Sequence, residues 1–567
     1  MRTTLLSSRI RRRVSLVAMA AGAIVSFTAG VSTQAPRFYP DDPIGREPES
    51  RDASKAAPYD MPEMYELVYN LFVVPKYEPS GLRAKNVNTI DEVPDSSWFT
   101  NRIGAKPISN EELVRGPNAG EPPDPSKWVL IREKSSGVHP GFTARDGKGE
   151  TWFVQFDPPY FAEGATAAVA IASKIFWALG YNQVESYLTT FDPKNASIDP
   201  KATVRRPSGK RTPFTKDDMN AILENVARNK DGTYRIVAGR QLSGKILGGY
   251  QYSGTRPDDP NDLVPHEQRR ELRALRVFGA WTNLTDLKAK NTLDTVVTEN
   301  GKAVVKHYLQ DVGSTFGLCN DLHEWDLSYE YFYDGPGSRK RFFTLGFGLS
   351  PWQTVDYKEY PSVGKFEGKV FDPRTWKPQT PTKAYMELRD DDAFWAARRV
   401  AAFTDDMLRA VVHTGEFSDP NAEKYLADVL IQRRDTVKRI YLTAVNPIVD
   451  VHLDGQGLSF ENAAIAAGVA EGPVSYTASW MEFDNATSAT KPLSETKSDT
   501  TRIALPNGLP ASGFVAVDIA AASEKYPTWK QPVRAYFRRD GGTWTLVGFE
   551  RQPEQLSSAR TAQKAAK

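Results

Sequence analysis

From position 128 the pattern of apolar and polar residues becomes strand-like, with clear period-two alternation in T-W-F-V-Q-F. W-V-L-I-R-E-K (128–134), F-T-A-R-D (142–146) and T-W-F-V-Q-F (151–156) each predict a strand. The turn S-S-G-V-H-P-G-F joins the first two, and D-G-K-G signals a hairpin before the third. After D-P-P-Y the period lengthens. A helix is predicted from Glu163 through A-T-A-A-V-A-I-A-S-K-I-F-W-A-L, stopped by Gly180. Residues 192–263 read as a polar linker with one short helix over 217–227, and 265–281 as an amphipathic helix. A strand follows at V-V-K-H-Y-L-Q, and long helices are predicted over 391–412 and 419–441. Past Pro447 the chain turns to short alternating runs between turn residues (V-D-V-H-L, P-V-S-Y-T-A-S-W, G-F-V-A-V-D-I, V-R-A-Y-F-R-R, W-T-L-V-G-F), the pattern of a β-sandwich of immunoglobulin or fibronectin type. Residues 36–125 are turn-rich. Within them D-E-V-P-D-S-S-W-F-T-N-R predicts an anchored turn with Trp98 buried, in a segment that wraps the main body.

The bulk numbers narrow the class. A chain of 567 residues needs two or three cores. With 72 Lys+Arg against 70 Asp+Glu the net charge is +2, which disfavours nucleic acid as a partner. Arg9, Arg11, Arg12 and Arg13 ahead of the apolar run 14–31 predict export by a signal peptide, with an uncleaved anchor in the inner membrane as the alternative. The destination is then periplasmic or extracellular. Cys319 is the single cysteine, so no internal disulfide forms. The six histidines show no pair at metal-ligand spacing, which disfavours zinc. Arg269, Arg270, Arg273 and Arg276 give the 265–281 helix a basic face, read as solvated or ion-paired. The run 258–262 (D-D-P-N-D) reads as an acidic turn capping that helix.

The chemistry concentrates between 286 and 315. Asp286 is followed five residues later by Asn291, and after the V-V-K-H-Y-L-Q strand comes D-V-G-S-T with Asp311. A carboxylate, an amide and a second carboxylate in this order suit phosphoryl transfer. There one carboxylate accepts the nucleophile's proton, and hard oxygen ligands hold a divalent cation against the phosphates. Gly313 is expected to turn the backbone sharply so that Asp311 points into a cleft.

This ordering resembles kinase-fold phosphotransferases. Residues 128–441 resemble the atypical kinases of HipA, CotH and phosphatidylinositol-kinase type, and H-Y-L-x-D-x-G-S-T with E-V-P-D-S-S-W-F-T-N-R resembles a family of exported bacterial proteins. The resemblance implies an α+β fold with a two-lobed protein-kinase-like core and the C-terminal all-β sandwich. The implied division is a signal peptide or anchor (1–32), a wrapping extension (33–125), an N-lobe with an insertion (126–263), a helical C-lobe (264–445), the sandwich (446–553) and a flexible tail (554–567). It implies Asp286 as catalytic base, Asn291 and Asp311 as ligands of Mg²⁺ or Mn²⁺, and ATP or another nucleotide as cofactor. Gly137 would lie over the phosphates. The strand position where such kinases place a phosphate-binding Lys holds Gln155, so Lys134 on the neighbouring strand is implied in that role, with Glu163 as its partner. The partners expected are a nucleotide and a hydroxyl acceptor on a protein, lipid or glycan, with an envelope protein meeting the sandwich. Two readings stay open. One is an active exported kinase. The other is an inactive pseudokinase serving as an envelope binding or scaffold protein, favoured by Gln155 and by the scarcity of ATP outside the cytoplasm. A carbohydrate-active enzyme rests on the exported location and the sandwich alone.

Overall fold

Alternation sorts the side chains of residues 128–156 to the two faces of a sheet. The computed structural model of the protein describes residues 35–59, 62–134, 139–206, 208–318, 329–356 and 358–552. Its extension carries α1 (Glu63–Phe72) and α2 (Asn110–Arg115) ahead of an antiparallel meander of β1 (Trp128–Glu133), β2 (Gly141–Arg145) and β3 (Thr151–Phe156). Trp128, Leu130, Phe142, Trp152, Val154 and Phe156 share one apolar core on one face. Helix α3 (Gly164–Leu179) follows and ends at Gly180, as expected. Gly180 sits at φ +119°, and a Cβ there would lie 2.2 Å from the Phe99 ring, so both the backbone and the packing require glycine.

The expected linker over 192–263 contains strands as well as loops. β4 (Ser186–Phe191), β5 (Ala196–Arg205), β6 (Arg211–Pro213) and β7 (Tyr234–Arg240) join the meander in a seven-stranded sheet of order β4-β7-β3-β2-β1-β5-β6. It is mixed because β1 and β5 run parallel. The alternation was too faint to read because β5, near one edge, buries Ala202 and Val204 and leaves its other side chains wholly or partly exposed. The one predicted helix there is α4 (Lys216–Leu223), held by a capping box between Thr215 and Asp218. A three-stranded antiparallel sheet follows, with β9 (Leu293–Glu299) between β8 (Lys245–Gly248) and β10 (Lys302–Tyr308), the last being the predicted V-V-K-H-Y strand.

Helix α5 (Arg270–Thr282) leads into the Asp286 loop, and its arginines are not a solvated face. Arg269, Arg270 and Arg273 are fully buried. Arg270 Nε donates to Asp392 Oδ1 at 2.9 Å and its other end lies 2.8 Å from Asp91; Arg273 donates to Asp392 Oδ2 at 3.1 Å. The ion-paired half of the expectation holds and the solvated half does not. Charges stripped of water persist because several carboxylates from distant segments meet them. Asp262 does not cap this helix; it accepts the Arg256 N–H at 2.5 Å and pairs with His266 Nε2 at 2.7 Å. Trp98 is buried as predicted, stacked on His307 at 3.6 Å between ring centres with the Arg269 guanidinium 4.7 Å from its ring.

The remaining helices are α6 (Gly335–Phe343), α7 (Pro351–Thr354), α8 (Lys383–Met386), α9 (Asp390–Ala401), α10 (Asp405–His413) and α11 (Pro420–Tyr441). The single helix expected over 391–412 is two, α9 and α10, because the Thr404 side chain accepts the Met407 N–H at 3.1 Å and starts a new helix. The C-terminal residues form β11 (Ile448–Asp454), β12 (Gly457–Asn462), α12 (Ala463–Ala466), β13 (Ser475–Phe483), β14 (Thr490–Ser498), β15 (Arg502–Ile503), β16 (Gly513–Ala522), β17 (Val533–Asp540) and β18 (Thr543–Arg551). They make two antiparallel sheets, β11-β12-β15 and β14-β13-β16-β17-β18. The whole is an α+β architecture with one large mixed sheet and further antiparallel sheets. Residues 1–32, Gly137, Cys319 and the tail 554–567 lie outside the described residues. Among the described residues no helix is long and apolar enough to cross a membrane.

Candidate functional site

Asp286 stands in an extended segment after α5, and its neighbours on both sides are pinned. Asn283 ends the helix at φ +60°, in the left-handed region, and its Oδ1 accepts the Trp376 indole N–H at 2.9 Å. The Thr285 N–H donates to Ser314 O at 3.1 Å, and Thr285 O accepts the Gln379 N–H at 2.8 Å. Asn291 closes the loop: its Nδ2 donates to the Asp286 carbonyl at 2.9 Å, leaving Oδ1 as the ligand atom of the amide. The carbonyl of Asn291 in turn accepts the Asp311 N–H at 2.9 Å. One side-chain and one backbone hydrogen bond therefore join the three residues that the spacing singles out.

Gly313 works differently from the expectation. Its φ lies outside the left-handed region, so no sharp turn depends on it. Its N–H donates to Asp311 Oδ1 at 3.1 Å, and a Cβ there would come within 3.0 Å of Val169 on α3. Glycine here serves close packing against α3 beside the carboxylate rather than backbone freedom.

On the far side, Phe153 and Gln155 point away from the core of the large sheet, because Trp152, Val154 and Phe156 point into it. A cavity of about 280 Å³ lies between this face and residues 310–312. Lys134, Gln155 and Asp311 line it together with the apolar Val169, Val184 and Val237. Lys134 Nζ donates to Gln155 Oε1 at 3.1 Å. Burial pulls the Lys134 pKa below the ordinary lysine value, and the Asp311 charge opposes that pull. The expected Lys134–Glu163 pair does not form. Glu163 sits at φ +70° at the start of α3, and its carboxylate accepts the Ser418 N–H at 2.9 Å. That contact joins α3 to the start of α11, so the local chain places Glu163 toward the helices rather than the sheet.

Burial raises the Asp286 pKa; the Lys288 cation, with its Nζ 3.0 Å from Asp286 Oδ2, opposes the rise. Lys288 is also buried, which favours its neutral form, yet Asp286 outweighs that and its pKa is raised. The D-L-K spacing could have flagged Lys288. No sequence signal could have flagged the other neighbours, since they come from α1 over 200 residues earlier. Glu66 accepts the Ala289 N–H at 2.7 Å, and Glu63 pairs with Lys290 at 2.5 Å. Burial raises the Glu66 pKa as well. A second opening, of about 330 Å³, lies between α1 and this loop and shares Gln310 with the first.

The donor set is hard oxygen: two carboxylates and an amide. Among the described residues no group of three or more His, Cys, Asp and Glu is arranged to hold a metal ion. A divalent cation at Asn291 and Asp311 therefore fits only the mode in which phosphate oxygens and water complete the shell, as Mg²⁺ commonly requires.

No family model matches the sequence, and no curated protein matches it. Among solved structures the chain is similar to two of the Golgi casein kinase, one of them with Mn/ADP bound. In both comparisons the identity is 10%, the match covers 70% of this chain and 96% of that one, and the TM-score is 0.28. A superposition of that quality carries no argument.

Proposed function

We propose that the protein is an exported kinase-like phosphotransferase that moves the γ-phosphoryl of a nucleotide to a hydroxyl of its acceptor. The observation that carries this is the cavity shared by Lys134, Gln155 and Asp311, with Asp311 tied through Asn291 to Asp286. In this reading the apolar valines take the base, and Lys134 with Gln155 faces the phosphates. Asn291 Oδ1 and the Asp311 carboxylate hold the divalent cation, which supplies positive charge against the phosphate oxygens when bound. Asp286 accepts the acceptor's proton as its oxygen bonds to phosphorus and the bond to the leaving phosphate breaks. The Lys288 cation beside Asp286 opposes the rise that burial gives its pKa. The opening between α1 and the loop is the route for the acceptor.

Thermal unfolding with ATP and Mg²⁺ or Mn²⁺, beside Asp311→Ala, tests the reading. Nucleotide at about a hundred times its dissociation constant should stabilise the native state by about 2.7 kcal/mol. The reading requires that the shift depend on the metal and vanish in the variant. A second reading, an inactive nucleotide-binding pseudokinase, is favoured by one contact: Glu163 is engaged by Ser418, which leaves Lys134 an amide partner instead of a carboxylate. Stabilisation by nucleotide that persists without any divalent cation would favour it.

A further inference from the structure

Helix α1 is turned inside out. Its acids face the Asp286 loop, Glu66 to the Ala289 N–H and Glu63 to Lys290, while Met64, Val68 and Phe72, spaced four apart on one face, are exposed to water. Phe72 contacts Tyr333, itself exposed, with ring centres 5.3 Å apart. From Tyr333 the chain runs into α6 and a turn that displays Phe342, Phe343, Leu345 and Phe347, each between 73% and 86% exposed. This is an ordered display: the Gly346 N–H donates to Arg341 O and the Phe347 N–H to Thr344 O, both at 2.9 Å. Soluble surfaces seldom leave so many large apolar side chains together in water.

Charge selects the occupant. Between Asp334 and Asp356 the chain has no acidic residue, and it carries Arg339, Lys340 and Arg341. Arg341 pairs with Glu330, while Arg339 and Lys340 are exposed beside the phenylalanines. Two copies of this face meeting each other would bring like charges together. An anionic bilayer meets both demands, since its interface takes Phe and Leu and its headgroups take Arg and Lys. We infer that the 335–349 segment and the outer face of α1 dock the protein on an anionic lipid surface, by a contact separate from any N-terminal anchor. The same helix holds Glu63 and Glu66 against the Asp286 loop, so docking keeps that loop near the bilayer. This inference does not depend on the phosphotransferase reading.

An environment-sensitive fluorophore tests it in the full-length chain. The label is attached through Phe347→Cys with the single native cysteine replaced (Cys319→Ser), and in a second protein through Lys497→Cys on exposed β14. Phosphatidylcholine vesicles with and without phosphatidylglycerol are added. The expected result is a blue shift and rise in emission at 347, favoured by phosphatidylglycerol and absent at 497. Arg339→Gln with Lys340→Gln should demand about thirty-fold more vesicle for the same response, at roughly 1 kcal/mol per basic residue near an anionic surface. No response at 347, or an equal one at 497, would overturn the docking surface. A response without vesicles that grows with protein concentration would also overturn it, by assigning the face to a second copy.

Discussion

Asp157 shows how a single buried carboxyl couples this fold to pH. It accepts the Thr166 N–H and hydroxyl, both at 2.8 Å, and burial lifts its pKa from 3.8 to about 6. The native state then binds the proton more tightly than the unfolded chain. Its contribution to stability is complete below about pH 4 and is lost as the pH rises through about 6. Denaturant unfolding across that interval should show Asp157→Asn with a flatter pH dependence than the wild type; equal slopes would refute the assignment. Asp286 is raised by the same burial, and in each case a cation opposes the rise, Arg235 at Asp157 and Lys288 at Asp286. At this scale the order Asp286, Asn291, Asp311 was readable because one short loop and one hairpin, β9–β10, connect the three. The nearness of Lys134 to Gln155 follows from the predicted meander, but the partner of Glu163 was not readable, because Ser418 reaches it across the fold.

At the scale of elements, strong local signals survived and weak ones did not. The meander β1–β3, α3 and α11 follow from alternation, helical period and stop signals. β5 within the expected linker escaped because most of its side chains are wholly or partly exposed and lack apolar alternation, and the break between α9 and α10 escaped because one threonine cap decides it. The end of α3 offers a direct check. Gly180→Ala adds a Cβ against the Phe99 ring at a left-handed position, so it should destabilise the protein by about 1–3 kcal/mol, read as a lower denaturant midpoint. An unchanged midpoint would mean that Phe99 moves aside without loss.

Across the whole molecule, the division into parts read from composition conceals a shared interior. One apolar cluster contains Trp98 of the extension, Phe394 of α9, Leu430 of α11 and Val451, Trp480 and Val515 of the C-terminal sheets. Arg551 of β18 lies 3.9 Å over the Phe394 ring and donates to Ile448 O at 2.9 Å, with its pKa pulled down to about 9 by burial. The large sheet keeps a separate core. The C-terminal sheets should therefore unfold together with the helices. Urea unfolding followed by far-ultraviolet circular dichroism and by tryptophan fluorescence should show no early transition belonging to residues 446–552 alone, and such a step would disprove the coupling.

The sequence by itself determined the alternating and helical elements, the burial of Trp98 and the spacing of Asp286, Asn291 and Asp311, because each depends on residues near one another in the chain. Only the tertiary structure decided that Arg269, Arg270 and Arg273 are internal, that α1 covers the Asp286 loop with its acids and shows its apolar side to water, and that Glu163 meets Ser418. Those outcomes depend on which distant groups share a desolvated space. There the balance between lost hydration and gained pairing is set by the whole packing, which no local stretch of sequence contains.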